Sequence, residues 1–76
     1  MRVNVKYFAS MRDRVGRADD RVELADKATV ADLWDAVSKE ALPENTLIAV
    51  NMEYTDFSQA LHDGDEVAFF PPVTGG

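Results

Sequence analysis

Between Thr29 and Val37 the chain carries its one clear helical period: Val30, Leu33, Trp34 and Val37 fall at the i, i+3, i+4, i+7 spacing of a single apolar face. Thr29-Val30-Ala31-Asp32 opens it with the form of a capping box, the shorter Asp32 standing where Glu is usual, and Pro43 is expected to end the helix. In 76 residues this leaves one main helix to cover whatever else is apolar. A lone amphipathic helix needs a sheet to pack on.

Strand signals lie on both sides of it. Val3, Val5 and Tyr7 alternate with Asn4, Lys6 and Phe8, the period of a strand with one buried face. ASMRDRVGRADD, residues 9–20, predicts a short helical turn ending near Gly16 and then a polar loop. Residues 21–24 alternate again, with Val22 and Leu24 inward, as an antiparallel return. After the helix, residues 47–50 form an apolar run suited to an interior strand, residues 51–54 a turn, and residues 61–65 a second turn with Gly64 at positive φ. Residues 66–70 make the last strand. The order strand, strand, helix, strand, strand predicts an α+β domain over residues 1–70, a mixed sheet with one main helix packed across it, followed by a flexible C-terminal tail, residues 71–76. Trp34 is expected in the core, as is one of Phe69 and Phe70, the other facing outward.

Composition narrows the chemistry. The chain is 46% hydrophobic and 29% charged, an ordinary globular balance, and has no cysteine, so disulfides, thiolate metal sites and a nucleophilic thiol are excluded. MRVNVKYFAS lacks the apolar run of a signal peptide and no stretch approaches the ~20 apolar residues of a membrane span, which reads as a cytoplasmic protein. Net charge is −6, and it is unevenly placed: all eight basic residues lie between Arg2 and Lys39 beside seven acids, whereas residues 40–76 hold seven acids and no Lys or Arg. Nucleic acid and anionic membrane are therefore poor partners, and a protein with a basic groove is the natural complement, although the same acidity also serves solubility. His62 has no second histidine to share a metal, and Asp63, Asp65 and Glu66 lack the spacing of a calcium loop, so no metal site is expected.

The end of the chain, FFPPVTGG, raises a different chemistry. Pro71 and Pro72 fix φ and hold Phe70 extended, so the residues that follow should project from the sheet with a reach of roughly 20 Å. Gly75 and Gly76 have no Cβ and suit a narrow tunnel. A terminal carboxylate is ionised at neutral pH and a poor electrophile. To react it must first be activated, as by adenylation with ATP on a separate enzyme.

LHDGDEVAFFPPVTGG (61–76), YFASMRD (7–13), TVADLW (29–34) and LIAVNMEY (47–54) together resemble the small subunits of molybdopterin synthase, a family of ubiquitin-like sulfur carriers. The resemblance implies the β-grasp fold. It implies that Gly76 is adenylated by an adenylyltransferase related to ubiquitin-activating enzymes, with ATP used there and no cofactor bound by the isolated chain. Sulfur from a desulfurase or rhodanese-like donor would then leave a thiocarboxylate. It further implies that the tail, Pro71, Pro72, Val73, Thr74, Gly75 and Gly76, threads into the large synthase subunit. There it gives its sulfur to cyclic pyranopterin monophosphate for the molybdopterin dithiolene of the molybdenum cofactor. Phe8, Arg12 and Phe70 would form the partner surface, and the chain would be a non-catalytic sulfur donor whose active site lies on the large subunit. With no cysteine, and with the thioethers of Met1, Met11 and Met52 unable to deliver sulfide, a modified terminus is the place left for transferable sulfur. Two other readings share the diglycine: a thiamine-pathway sulfur carrier, which usually lacks the Phe-Phe-Pro-Pro approach, and a protein modifier joined through Gly76 to lysines.

Overall fold

The computed structural model describes residues 1–72. Its elements are β1 (Arg2–Tyr7), α1 (Ser10–Val15), β2 (Asp19–Glu23), α2 (Val30–Val37), β3 (Leu47–Val50), β4 (Glu53–Thr55) and β5 (Glu66–Phe70). The strands make one sheet in the order β2-β1-β5-β3-β4. Central β1 and β5 run parallel, Val5 opposite Val67 and Tyr7 opposite Phe69, while the other neighbours are antiparallel. This is the mixed sheet expected from the element order.

Strand alternation divides the sheet into two faces. On one, Val3, Val5 and Tyr7 of β1, Val67 and Phe69 of β5 and Ile48 of β3 are buried against Val30, Leu33 and Trp34 of α2. Phe69 has no exposed surface and sits between two aromatics, stacked on Tyr7 at 6.0 Å between ring centroids and edge-on to Trp34 at 5.2 Å. The helix begins where the sequence indicates. The Thr29 hydroxyl accepts from the Asp32 amide at 3.3 Å, and the Asp32 carboxylate accepts from the Thr29 amide at 2.9 Å. These reciprocal bonds satisfy N-terminal amides that no earlier turn could reach.

Three boundaries differ from the expected ones. The helix stops at Val37, well before Pro43. Its stop is set by Trp34, whose indole N–H donates to the Glu40 carbonyl at 2.7 Å and draws the chain back, with Ser38 extended at φ −146°. Strand β2 starts at Asp19 and not at residue 21, because its ladder with β1 continues through Asp20 to Asp19 opposite Lys6. The turn expected over residues 51–54 is only Asn51-Met52, and Glu53–Thr55 returns as β4.

That tight turn has positive φ at both central residues, 51° and 71°, the geometry of a primed hairpin turn. Asn51 tolerates it; Met52 is an unusual occupant. The turn is locked by the neighbouring strand: the Asn51 side chain donates to Asp65 at 2.9 Å and accepts from the Glu66 amide at 3.0 Å, and its own amide donates to the Glu66 carbonyl at 2.8 Å. Gly64, at φ 85°, turns the chain just before β5, as expected.

The two phenylalanines should separate in stability. Replacing Phe69 by Ala empties a buried site and is expected to cost about 3–5 kcal/mol. Replacing the half-buried Phe70 by Ala should cost about 1 kcal/mol. Urea unfolding followed by Trp34 fluorescence tests this, and equal losses would contradict the assignment of Phe69 to the core and Phe70 to the surface.

Candidate functional site

The same alternation that buries Val67 and Phe69 turns Glu66, Ala68 and Phe70 to the face opposite α2. Phe8 continues β1 by one residue, its amide donating to the Phe69 carbonyl at 3.1 Å, and so lands on that outer face beside Phe70. Their rings stack with centroids 4.6 Å apart and planes 5° from parallel. Tyr54 of β4 meets Phe70 edge-on at 6.4 Å, across the small Ala49 and Ala68 that pair between them in β3 and β5. Met52 and Tyr54 are 95% and 74% exposed. Together these side chains border a shallow hollow of about 290 Å³, with the Lys6–Glu66 ion pair, at 3.7 Å, on its polar side.

Arg12 stands on the turn that follows. Met11 is buried and anchors α1, whose first bonds run from the Met11 amide to the Phe8 carbonyl and from the Arg12 amide to the Ala9 carbonyl. Arg12 itself is exposed, and no hydrogen bond or ion pair engages its guanidinium among the described residues. Pro71 and Pro72 continue from β5, half-buried, immediately after Phe70. Val73, Thr74, Gly75 and Gly76 lie outside the described residues.

Of the residues singled out from sequence, the structure thus brings Phe8 and Phe70 into one stack, sets Arg12 on the next turn and places Pro71 directly after Phe70. Sequence reasoning missed Tyr54 and Met52. The signal was present: Glu53, Tyr54 and Thr55 follow Asn51 as a short polar-aromatic alternation, but the unusual Met at the second turn position hid the hairpin.

The other polar residues have structural partners. Asp63 accepts from the Arg2 amide and Asp65 from the His62 amide, both at 2.8 Å, so these acids brace the turn before β5. Among the described residues no group of three or more His, Asp or Glu side chains is gathered to hold a metal ion. No helix of the described residues is long and apolar enough to cross a membrane. Tyr7 is buried, and its hydroxyl donates to the Asp20 carboxylate at 3.0 Å, which also pairs with Arg17 at 2.7 Å. Burial first, and the Asp20 carboxylate second, push the Tyr7 phenol well above its ordinary value of 10.0.

The match to known proteins covers nearly the whole chain. Residues 5–76 fit the model of the ThiS family. The molybdopterin synthase sulfur carrier subunit of Escherichia coli (strain K12) is 42% identical over 97% of this chain and 99% of its own length. That of Chlamydomonas reinhardtii is 35% identical over 100% of both. In three dimensions, small archaeal modifier protein 1 of H. volcanii superposes with a TM-score of 0.81 at 28% identity, covering 95% of this chain and 98% of that one. The fold is the ubiquitin-like β-grasp.

The buried phenol sets an alkaline limit. Tyr7 is neutral when protonated, and the unfolded chain loses that proton near pH 10 while the folded chain keeps it, so the contribution is complete below pH 10 and declines above it. The urea midpoint should therefore drop as pH rises past 10, and Tyr7→Phe should blunt the drop. A variant with an unchanged alkaline profile would show that other groups set the limit.

Proposed function

The chain belongs to the ThiS family, and from that membership we propose that it is the sulfur-carrier subunit of a molybdopterin synthase, working in the cytoplasm as a sulfur donor to a larger catalytic subunit. The observation that carries the reading is the adjacency of two features. The stacked Phe8 and Phe70 lie on the face that α2 leaves open, and the segment leading to Gly76 departs directly from Phe70. A partner that covers the stack receives the tail in the same encounter.

In this mechanism the globular part, residues 1–70, binds, and the tail, residues 71–76, reacts. An activating adenylyltransferase joins the Gly76 carboxylate to the α-phosphorus of ATP with release of pyrophosphate, converting a poor electrophile into an acyl adenylate whose leaving group is AMP. The persulfide of a desulfurase or rhodanese-like donor displaces AMP to give an acyl disulfide, and a second enzyme thiol then cleaves its S–S bond, being oxidised to a disulfide as it releases the Gly76 thiocarboxylate. Pro71 and Pro72 keep the tail extended, Val73 and Thr74 span the approach, and Gly75 lets the backbone pass a constriction that a Cβ would obstruct. The large subunit then takes the sulfur for the dithiolene of molybdopterin. Its site for the phosphorylated pterin should be cationic, since the C-terminal half of this chain carries only acids.

Protein modification is a second reading, favoured by the fold shared with small archaeal modifier protein 1. Isopeptide and thiocarboxylate start from the same adenylate, so the two diverge only at the acceptor. Intact-mass analysis of protein from its own host should show one oxygen replaced by sulfur; conjugates to lysine with no thiocarboxylate would favour the modifier.

Deleting Gly76, or adding a residue after it, should abolish sulfur loading while leaving the unfolding midpoint unchanged. A blocked form that still supports pterin sulfuration would defeat the carrier reading. Docking should fail separately from chemistry. Phe70→Ala should weaken binding to the large subunit by about 1–3 kcal/mol, as expected for an aromatic anchor. Arg12→Ala should weaken it as well, and calorimetric titration showing neither loss would remove this face from the interface.

A further inference from the structure

A second apolar surface lies on the other side of the sheet and has no part in the function proposed above. Where α2 stops early, the chain from Ser38 to Thr46 runs beside β3 and leaves a groove between that loop, the helix and the residues that follow β4. The groove has a volume of about 620 Å³ and is floored by Leu42, Pro43 and Phe57. Leu42 and Pro43 are half-buried, whereas Phe57 is 58% exposed, an aromatic ring held in solvent beside apolar neighbours. Most of the lining surface is apolar, which sets it apart from the polar clefts elsewhere on the molecule.

The charges around it have one sign. Asp35 of α2, Glu44 of the loop and Asp56 beside Phe57 line the groove, and no Lys, Arg or His does. Asp56 accepts from the Ser58 amide at 2.9 Å, a bond that holds its carboxylate in place at the rim. None of the three is engaged by a cation among the described residues. Apolar floor and anionic rim together specify the complement: large apolar side chains projecting from one stripe, flanked by Lys or Arg.

We propose that this groove is a second docking site, for a basic amphipathic helical segment of a partner protein, on the face opposite the Phe8–Phe70 stack. Because the two surfaces lie on opposite sides of the sheet, the segment can be held while the stack is covered by another protein. The groove can be occupied whether or not the chain carries sulfur.

The probe is a synthetic helical peptide of about five turns, roughly 18 residues, with Leu along one face and Lys beside it, compared with a scrambled peptide of the same composition. Titrated into the full chain, the patterned peptide should shift the amide signals of residues 42, 44–46 and 56–57 and change Trp34 emission, leaving Phe8 and Phe70 unmoved. Phe57→Ala should weaken it about tenfold. The triple change Asp35→Asn, Glu44→Gln and Asp56→Asn should flatten the salt dependence of binding, and Asn at position 56 keeps the acceptor for Ser58. Equal binding of the scrambled peptide, shifts confined to the Phe8–Phe70 face, or a self-dimer that Phe57→Ala dissolves would each overturn the proposal. The measurement is independent of thiocarboxylate formation, so failure of the carrier reading would be seen separately by mass.

Discussion

The structure depends on the parallel pairing of β1 with β5. These strands come from the two ends of the chain, and their register, Val5 with Val67 and Tyr7 with Phe69, sets both faces of the sheet at once. Inward, it assembles the stack of Tyr7 and Phe69 under Trp34, the largest side chains of the core. Outward, the same register sets Phe8 beside Phe70. A one-residue slip of β5 against β1 would turn that strand over, exposing Val67 and Phe69 and burying Glu66, whose charge would then need a partner. Core and candidate docking surface are therefore specified by a single choice of pairing.

Much of this was legible in the chain. Alternation over residues 2–8 and 66–70 separates inward from outward side chains without knowledge of the partner strand, and the Thr29–Asp32 capping box locates the start of α2 to the residue. What could not be read depends on contacts distant in sequence. The end of α2 is decided by an indole reaching the Glu40 carbonyl, and β4 exists because Asn51 is gripped by Asp65 and Glu66 from the far side of a loop. Tyr54 joins the aromatic patch only because β3 lies between β4 and β5. Local pattern gives faces; sheet order gives neighbours.

The acidity of the C-terminal half also has a more structural meaning than charge counting suggests. Asp63 accepts the Arg2 amide of β1, Asp65 accepts the His62 amide within the turn before β5, and Glu66 faces Lys6 across the sheet. Neutralising them would disturb the turn as well as the field. Glu53, which no cation engages among the described residues, is the cleaner probe of long-range attraction.

One consequence follows from where β5 sits. It is held on both sides, by β1 and by β3, and it is the strand from which the tail departs. Tension applied at Pro71 runs along β5 and loads both hydrogen-bond ladders in shear. An edge strand under the same tension would open one bond at a time, like a zipper. In this arrangement many bonds bear the force together, so a pull on the chain beyond Phe70 is resisted by the whole sheet and not by a single ladder.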